Sequence, residues 1–94
     1  MYKNNSAALA LITSMSPNPI NKSGHLMIKF NADKEGLLKA RVINMEGKAL
    51  INTEMTAYRG LNNGHVHLGD LPAGAYTIVF TLGSLKESHR VVVK

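Results

Sequence analysis

From Ser16 onward the chain alternates apolar and polar residues with a period of two, the repeat of a strand with one face buried. In HLMIKF, Leu26, Ile28 and Phe30 fall on one face, with Met27 and Lys29 on the other. LKARVIN repeats the pattern, with Leu38, Ala40 and Val42 inward and Lys39 and Arg41 outward. MEGK then reads as a hairpin turn, because Gly47 can take a positive φ, and leads into ALINTEM. The stretch AYRGLNNGH, rich in Gly and Asn, reads as a loop; after it come VHL, AYTIVFTL and SHRVVV, the last two joined through Gly83 and Ser84. With a short strand around Ile20, this predicts about seven antiparallel strands, turns every 8–12 residues and no helix. The fold class expected is an all-β, immunoglobulin-like β-sandwich.

Two proline segments refine the picture. Pro17, Asn18 and Pro19 lack two backbone donors and hold the chain extended, so they suit an edge strand or its lead-in. Leu71, Pro72, Ala73 and Gly74 suit a type I turn with Pro second and Gly fourth. Tyr76 follows on the face of Ile78 and Phe80. Sandwiches of this class often pin such a corner with a Tyr hydroxyl bonded to upstream backbone, here expected near Asp70.

The 94 residues have the composition of one small domain, expected over 16–94. The run Ala7–Ile12 is far below the ~20 apolar residues of a membrane span. It is also shorter than the ~7–15-residue core of a signal peptide, and TSMS is a poor cleavage site. Residues 1–15 are therefore read as a linker, or a remnant carrying an added start.

The formal charge of +5 is spread along the chain rather than gathered in a run, and the chain has three Tyr, two Phe and no Trp. Nucleic-acid grooves interleave their charge with stacking aromatics, so no nucleic-acid partner is expected. The absence of cysteine excludes disulfides, thiolate nucleophiles and Cys-type zinc sites. His65 and His67 project from one strand face and could ligate a metal if His25 or His89 came near; the plainer reading is two exposed polar residues flanking inward Val66. Ser88 and His89 point to opposite faces and cannot act as nucleophile and base. The carboxylates Asp33, Glu35, Glu46, Glu54, Asp70 and Glu87 fall mostly in or beside predicted turns, unpaired. No phosphate-binding glycine loop or hydrolase elbow is present. No enzyme activity, cofactor or metal is expected.

SPNP, HLMIKF, ARVINMEGKAL, LGDLPAGAYTIVF and the closing RVVVK occur in an order and spacing that resemble the type A C-terminal sorting domain of the type IX secretion system of Bacteroidetes, across Ser16 to Lys94. Asn44 stands where that family often has Asp, Ser16 where an aromatic is common, and Ala75 where a larger β-branched residue is. The resemblance implies a secretion address carried behind a cargo. An outer-membrane translocon would recognise it, and a sortase-like surface peptidase would usually remove it. The protein would pass through the periplasm to the cell surface or medium. Its motif residues would be Pro17, Asn18, Pro19, Gly47, Leu71, Pro72, Gly74, Tyr76, Arg90, Val91, Val92, Val93 and Lys94. The last strand could offer its edge to a partner's sheet, and a homodimer through an edge strand is also left open. The alternative is a non-catalytic accessory module that binds carbohydrate or acts as a spacer, with Tyr58 as its one obvious exposed aromatic.

Overall fold

The computed structural model describes residues 11–16, 24–69 and 71–94. Among these, seven strands run antiparallel in two sheets, with no helix: β1 (Ile12–Ser16), β2 (His25–Ala32), β3 (Gly36–Ile43), β4 (Ala49–Ala57), β5 (Gly60–His67), β6 (Gly74–Leu82) and β7 (Leu85–Val93). The order is β1-β2-β5 in one sheet and β4-β3-β6-β7 in the other. The all-β sandwich expected from the alternation is therefore present, with its inward residues as read. Leu26, Ile28 and Phe30 of β2 meet Leu38, Ala40 and Val42 of β3 and Tyr76, Ile78 and Phe80 of β6 in one buried cluster. Full burial of side chains such as Phe30 and Phe80 contributes about 1.5–3 kcal/mol each, the main force holding the two sheets together.

The first strand departs from expectation. Ile12 to Ser16 pairs with β2, and Leu11 and Ile12 are buried, so these residues belong to the sheet rather than to a linker. The register shifts between Ile12 and Ser14, which sets the next partly buried residue, Met15, three positions after Ile12. That bulge hides the strand from a search for period two. The strand expected around Ile20, together with Pro17, Asn18 and Pro19, lies outside the described residues.

The second departure is β5, where a loop was expected through GLNNGH. Every residue from Gly60 to His67 pairs with β2. Its polarity is inverted at the start: Leu61 faces out, and Asn62 is the buried polar residue among those described. Asn62 Oδ1 accepts from the Tyr58 N–H at 2.9 Å, and Nδ2 donates to the carbonyls of Tyr58 at 2.7 Å and Gly60 at 3.1 Å. One amide thus satisfies the backbone that carries the chain from β4 in one sheet to β5 in the other. At Gly64 a Cβ would meet Met55 Sδ at 2.5 Å, so the missing side chain leaves room for β4 to pack over β5.

The hairpin between β3 and β4 forms where MEGK placed it. Gly47 has φ 87° and donates to the Asn44 carbonyl at 3.0 Å. Asn44 Oδ1 accepts from the Glu46 and Lys48 N–H groups at 2.9 and 3.0 Å. Its amide oxygen serves as an Asp carboxylate oxygen would, so Asn at this position keeps the turn.

Candidate recognition face

Tyr76 is buried at the start of β6, and its hydroxyl donates to the Pro72 carbonyl at 2.6 Å. The tyrosine corner expected from LPAGAY is present, with Pro72 as the acceptor, whereas Gly74 is already extended at the start of β6 rather than closing a type I turn; Asp70 lies outside the described residues. Leu71 packs partly buried against the core, Pro72 is exposed, and Gly74 opens β6. This segment serves architecture first: it fixes the angle at which β6 enters the sheet.

The closing RVVVK divides by face. Val91 and Val93 are buried in the core, whereas Arg90, Val92 and Lys94 are exposed. Arg90 and Val92 also make further interactions of their own. At this end of the four-stranded sheet a shallow depression is lined by Asn44, Met45, Gly47, Ala75, Tyr76, Thr77 and Arg90. Three segments far apart in sequence, the hairpin turn, the AYT segment of β6 and the last strand, therefore share one surface. Register explains the meeting, since Ile43 pairs with Thr77, and Thr77 with Arg90. Met45, at the turn tip, is 86% exposed.

On the inward side of β7, ahead of Val91 and Val93, stand Glu87 and His89. Glu87 lies within β7 and is paired, where the sequence grouped it with unpaired carboxylates mostly in or beside turns. Its carboxylate accepts from the Leu11 N–H, from the Ile12 N–H at 3.1 Å, and meets His89 Nε2 at 2.7 Å. It thus ties the last strand to the first, across the two sheets. Burial works against ionisation of this carboxyl, but the His89 contact and the two backbone N–H groups outweigh it and hold the group below its ordinary value of 4.5. A depressed folded value means that the carboxylate stabilises the fold fully above the unfolded value, and that this stability is lost as pH falls through the folded one. Urea unfolding of Glu87→Gln at pH 7 is expected to show a loss of about 1–2 kcal/mol, the worth of charge-assisted bonds retained only in part. The gap to the unaltered chain should close on acidification below 4.5. A gap independent of pH would count against the charge.

His25, His65 and His67 come together on the outer face of β1-β2-β5. His25 pairs with His67, and one ligand atom from each of the three lies within 4.8 Å of the others. Val66 is buried between the two histidines of β5, as expected. His89 stands apart, engaged with Glu87 and edge-on to Phe80 at 5.9 Å.

Among the described residues no helix is long and apolar enough to cross a membrane. No curated protein matches the chain. In a comparison with protein families, residues 14–94 match the secretion system C-terminal sorting domain. The chain belongs to that family. The match begins inside β1 and takes in all the later strands, the Tyr76 corner and the closing RVVVK. A type IX sorting domain marks its protein for the cell surface or the extracellular space, interacts with the secretion machinery and serves a cargo upstream. Among the described residues, the motif positions expected from the sequence divide between the core, with Tyr76, Val91 and Val93 buried, and the surface, with Gly47, Pro72, Arg90, Val92 and Lys94 exposed.

Proposed function

We propose that this chain is a non-catalytic address that directs an upstream cargo through the type IX outer-membrane translocon, read at the depression lined by the β3–β4 turn, the start of β6 and Arg90. The observation that carries the address is the family match over residues 14–94. The convergence of three motif segments on one surface favours that depression as the place where it is read. Removal by a sortase-like peptidase belongs to the same proposal, with the cut upstream of Leu11. Cleavage further along would break a paired strand whose first N–H groups are bound by Glu87.

The test fuses a fluorescent protein with a periplasmic signal ahead of residues 1–94, in a bacterium that has the type IX system. Truncating RVVVK would remove Val91 and Val93 from the core and confuse unfolding with loss of recognition. Met45→Asp alters an exposed tip instead, and Leu61→Asp, 68% exposed on the other sheet, serves as the control. The unaltered and Leu61→Asp fusions are expected at the surface or in the medium, and Met45→Asp in the periplasm. Equal export of all three would refute the depression as the reading site. Periplasmic retention of the unaltered fusion, in a host that exports a known sorting domain, would refute the address. Mass analysis of the released cargo tests the cut: a C-terminus beyond Leu11 would contradict it.

A further inference from the structure

Three of the four histidines in the chain meet at one end of the β2–β5 ladder. Their ring centroids lie 4.0 Å (His25–His67), 5.6 Å (His65–His67) and 5.8 Å (His25–His65) apart, and all three side chains are exposed. The arrangement follows from sheet geometry. His65 and His67 share a face because they stand two positions apart, and His25 faces them because it is the register partner of His67.

We propose that His25, His65 and His67 form a binding site for a transition-metal dication of the zinc type. A tetrahedral ion with Zn–N bonds of ~2.0–2.1 Å needs ligand nitrogens about 3.3 Å apart. Closing from 4.8 Å or less to that spacing requires only modest rotation of exposed side chains on a fixed backbone. Three imidazoles supply three of four positions and leave the fourth to water or to a group from a partner. The donor set selects the metal class. Imidazole suits zinc, copper and nickel, whereas calcium and magnesium require oxygen ligands, and the cluster holds no carboxylate. Met27 is the register partner of His65 and is 52% exposed, so a soft thioether shares this face of the sheet. Bound to one ion, the three rings would cross-link β2 to β5 beside the point where the Leu68 N–H donates to the Gly24 carbonyl at 2.7 Å.

The test is isothermal titration of Zn2+ into the untagged 94-residue chain, with magnesium as a parallel titrant. One zinc per chain and no measurable magnesium binding are expected. His25→Gln, His65→Gln and His67→Gln should each weaken zinc at least ~10-fold, since loss of even an outer partner of a metal ligand costs that much. Metal-free melting temperatures should match that of the unaltered chain, because the three side chains are exposed. Saturating zinc should raise the melting temperature of the unaltered chain and not that of the variants. No zinc binding, or zinc binding of unchanged affinity in the triple Gln variant, would overturn the site. So would single variants that bind as the unaltered chain does.

Discussion

Replacing Gly24 by alanine is expected to destabilise the domain by about 3 kcal/mol or more, whereas the same change at Gly47 should cost about 1 kcal/mol. Both glycines have positive φ, 70° and 87°. That conformation alone costs an L-residue roughly 1–2 kcal/mol. The difference lies in what surrounds them. A Cβ on Gly47 has nothing within 4 Å, but one on Gly24 would stand 2.6 Å from the Gly69 carbonyl oxygen and 3.1 Å from the Gly69 nitrogen. Those atoms are backbone and cannot swing aside as a side chain could. Relief would require moving Gly24 away from Leu68, which would break the 2.7 Å bond from the Leu68 N–H and disturb a fully buried leucine. At ~4–8 °C per kcal/mol for a domain this small, the two variants should melt well apart. Equal melting temperatures would show that the close approach at Gly24 relaxes freely.

How far the sequence revealed this fold depended on whether a segment kept strict period two. β2, β3 and β6 do so, and their buried residues were legible one by one, as was the positive φ of Gly47. β1 does not, because its bulge separates Ile12 from Met15 by three positions and breaks the alternation. β5 keeps the period but reverses its chemistry, with Leu61 outside and Asn62 inside, and its Gly and Asn have low strand propensity. Pairing with all of β2 overrides that propensity, and such pairing is invisible in the local sequence. Distance along the chain sets the same limit on the sites. Glu87 looked like an unpaired carboxylate because its backbone partners, Leu11 and Ile12, are more than seventy positions away. His65 and His67 announced themselves as a pair, but only the β2–β5 register selects His25 over His89 as the third. The secretion role was legible through the order of the motifs. The depression they share required the fold, since Met45 is drawn to Arg90 through β6, which pairs with both of their strands.

Replacing Asn62 by alanine is expected to cost about 2–4 kcal/mol, although it removes only a few atoms from a strand end. Three polar backbone groups lose their partner together: the Tyr58 N–H, the Tyr58 carbonyl and the Gly60 carbonyl. Each belongs to the turn between sheets, and leaving even part of this set unsatisfied costs ~1–3 kcal/mol. Aspartate should not rescue the loss. It can still accept from the Tyr58 N–H, but its second oxygen would face two carbonyls where Nδ2 now donates. Asn62→Asp at neutral pH is therefore expected to be at least as unstable as Asn62→Ala, which distinguishes the amide's two-sided bonding from a simple need for bulk. Urea unfolding of both variants gives the magnitudes. A loss below about 0.5 kcal/mol for alanine would mean that water replaces the amide in place. Hydrogen exchange locates the effect: since Asn62 anchors the start of β5, protection in Asn62→Ala should fall first along the Gly60–Ala32 end of the β2–β5 ladder, while the β6–β7 ladder keeps its own.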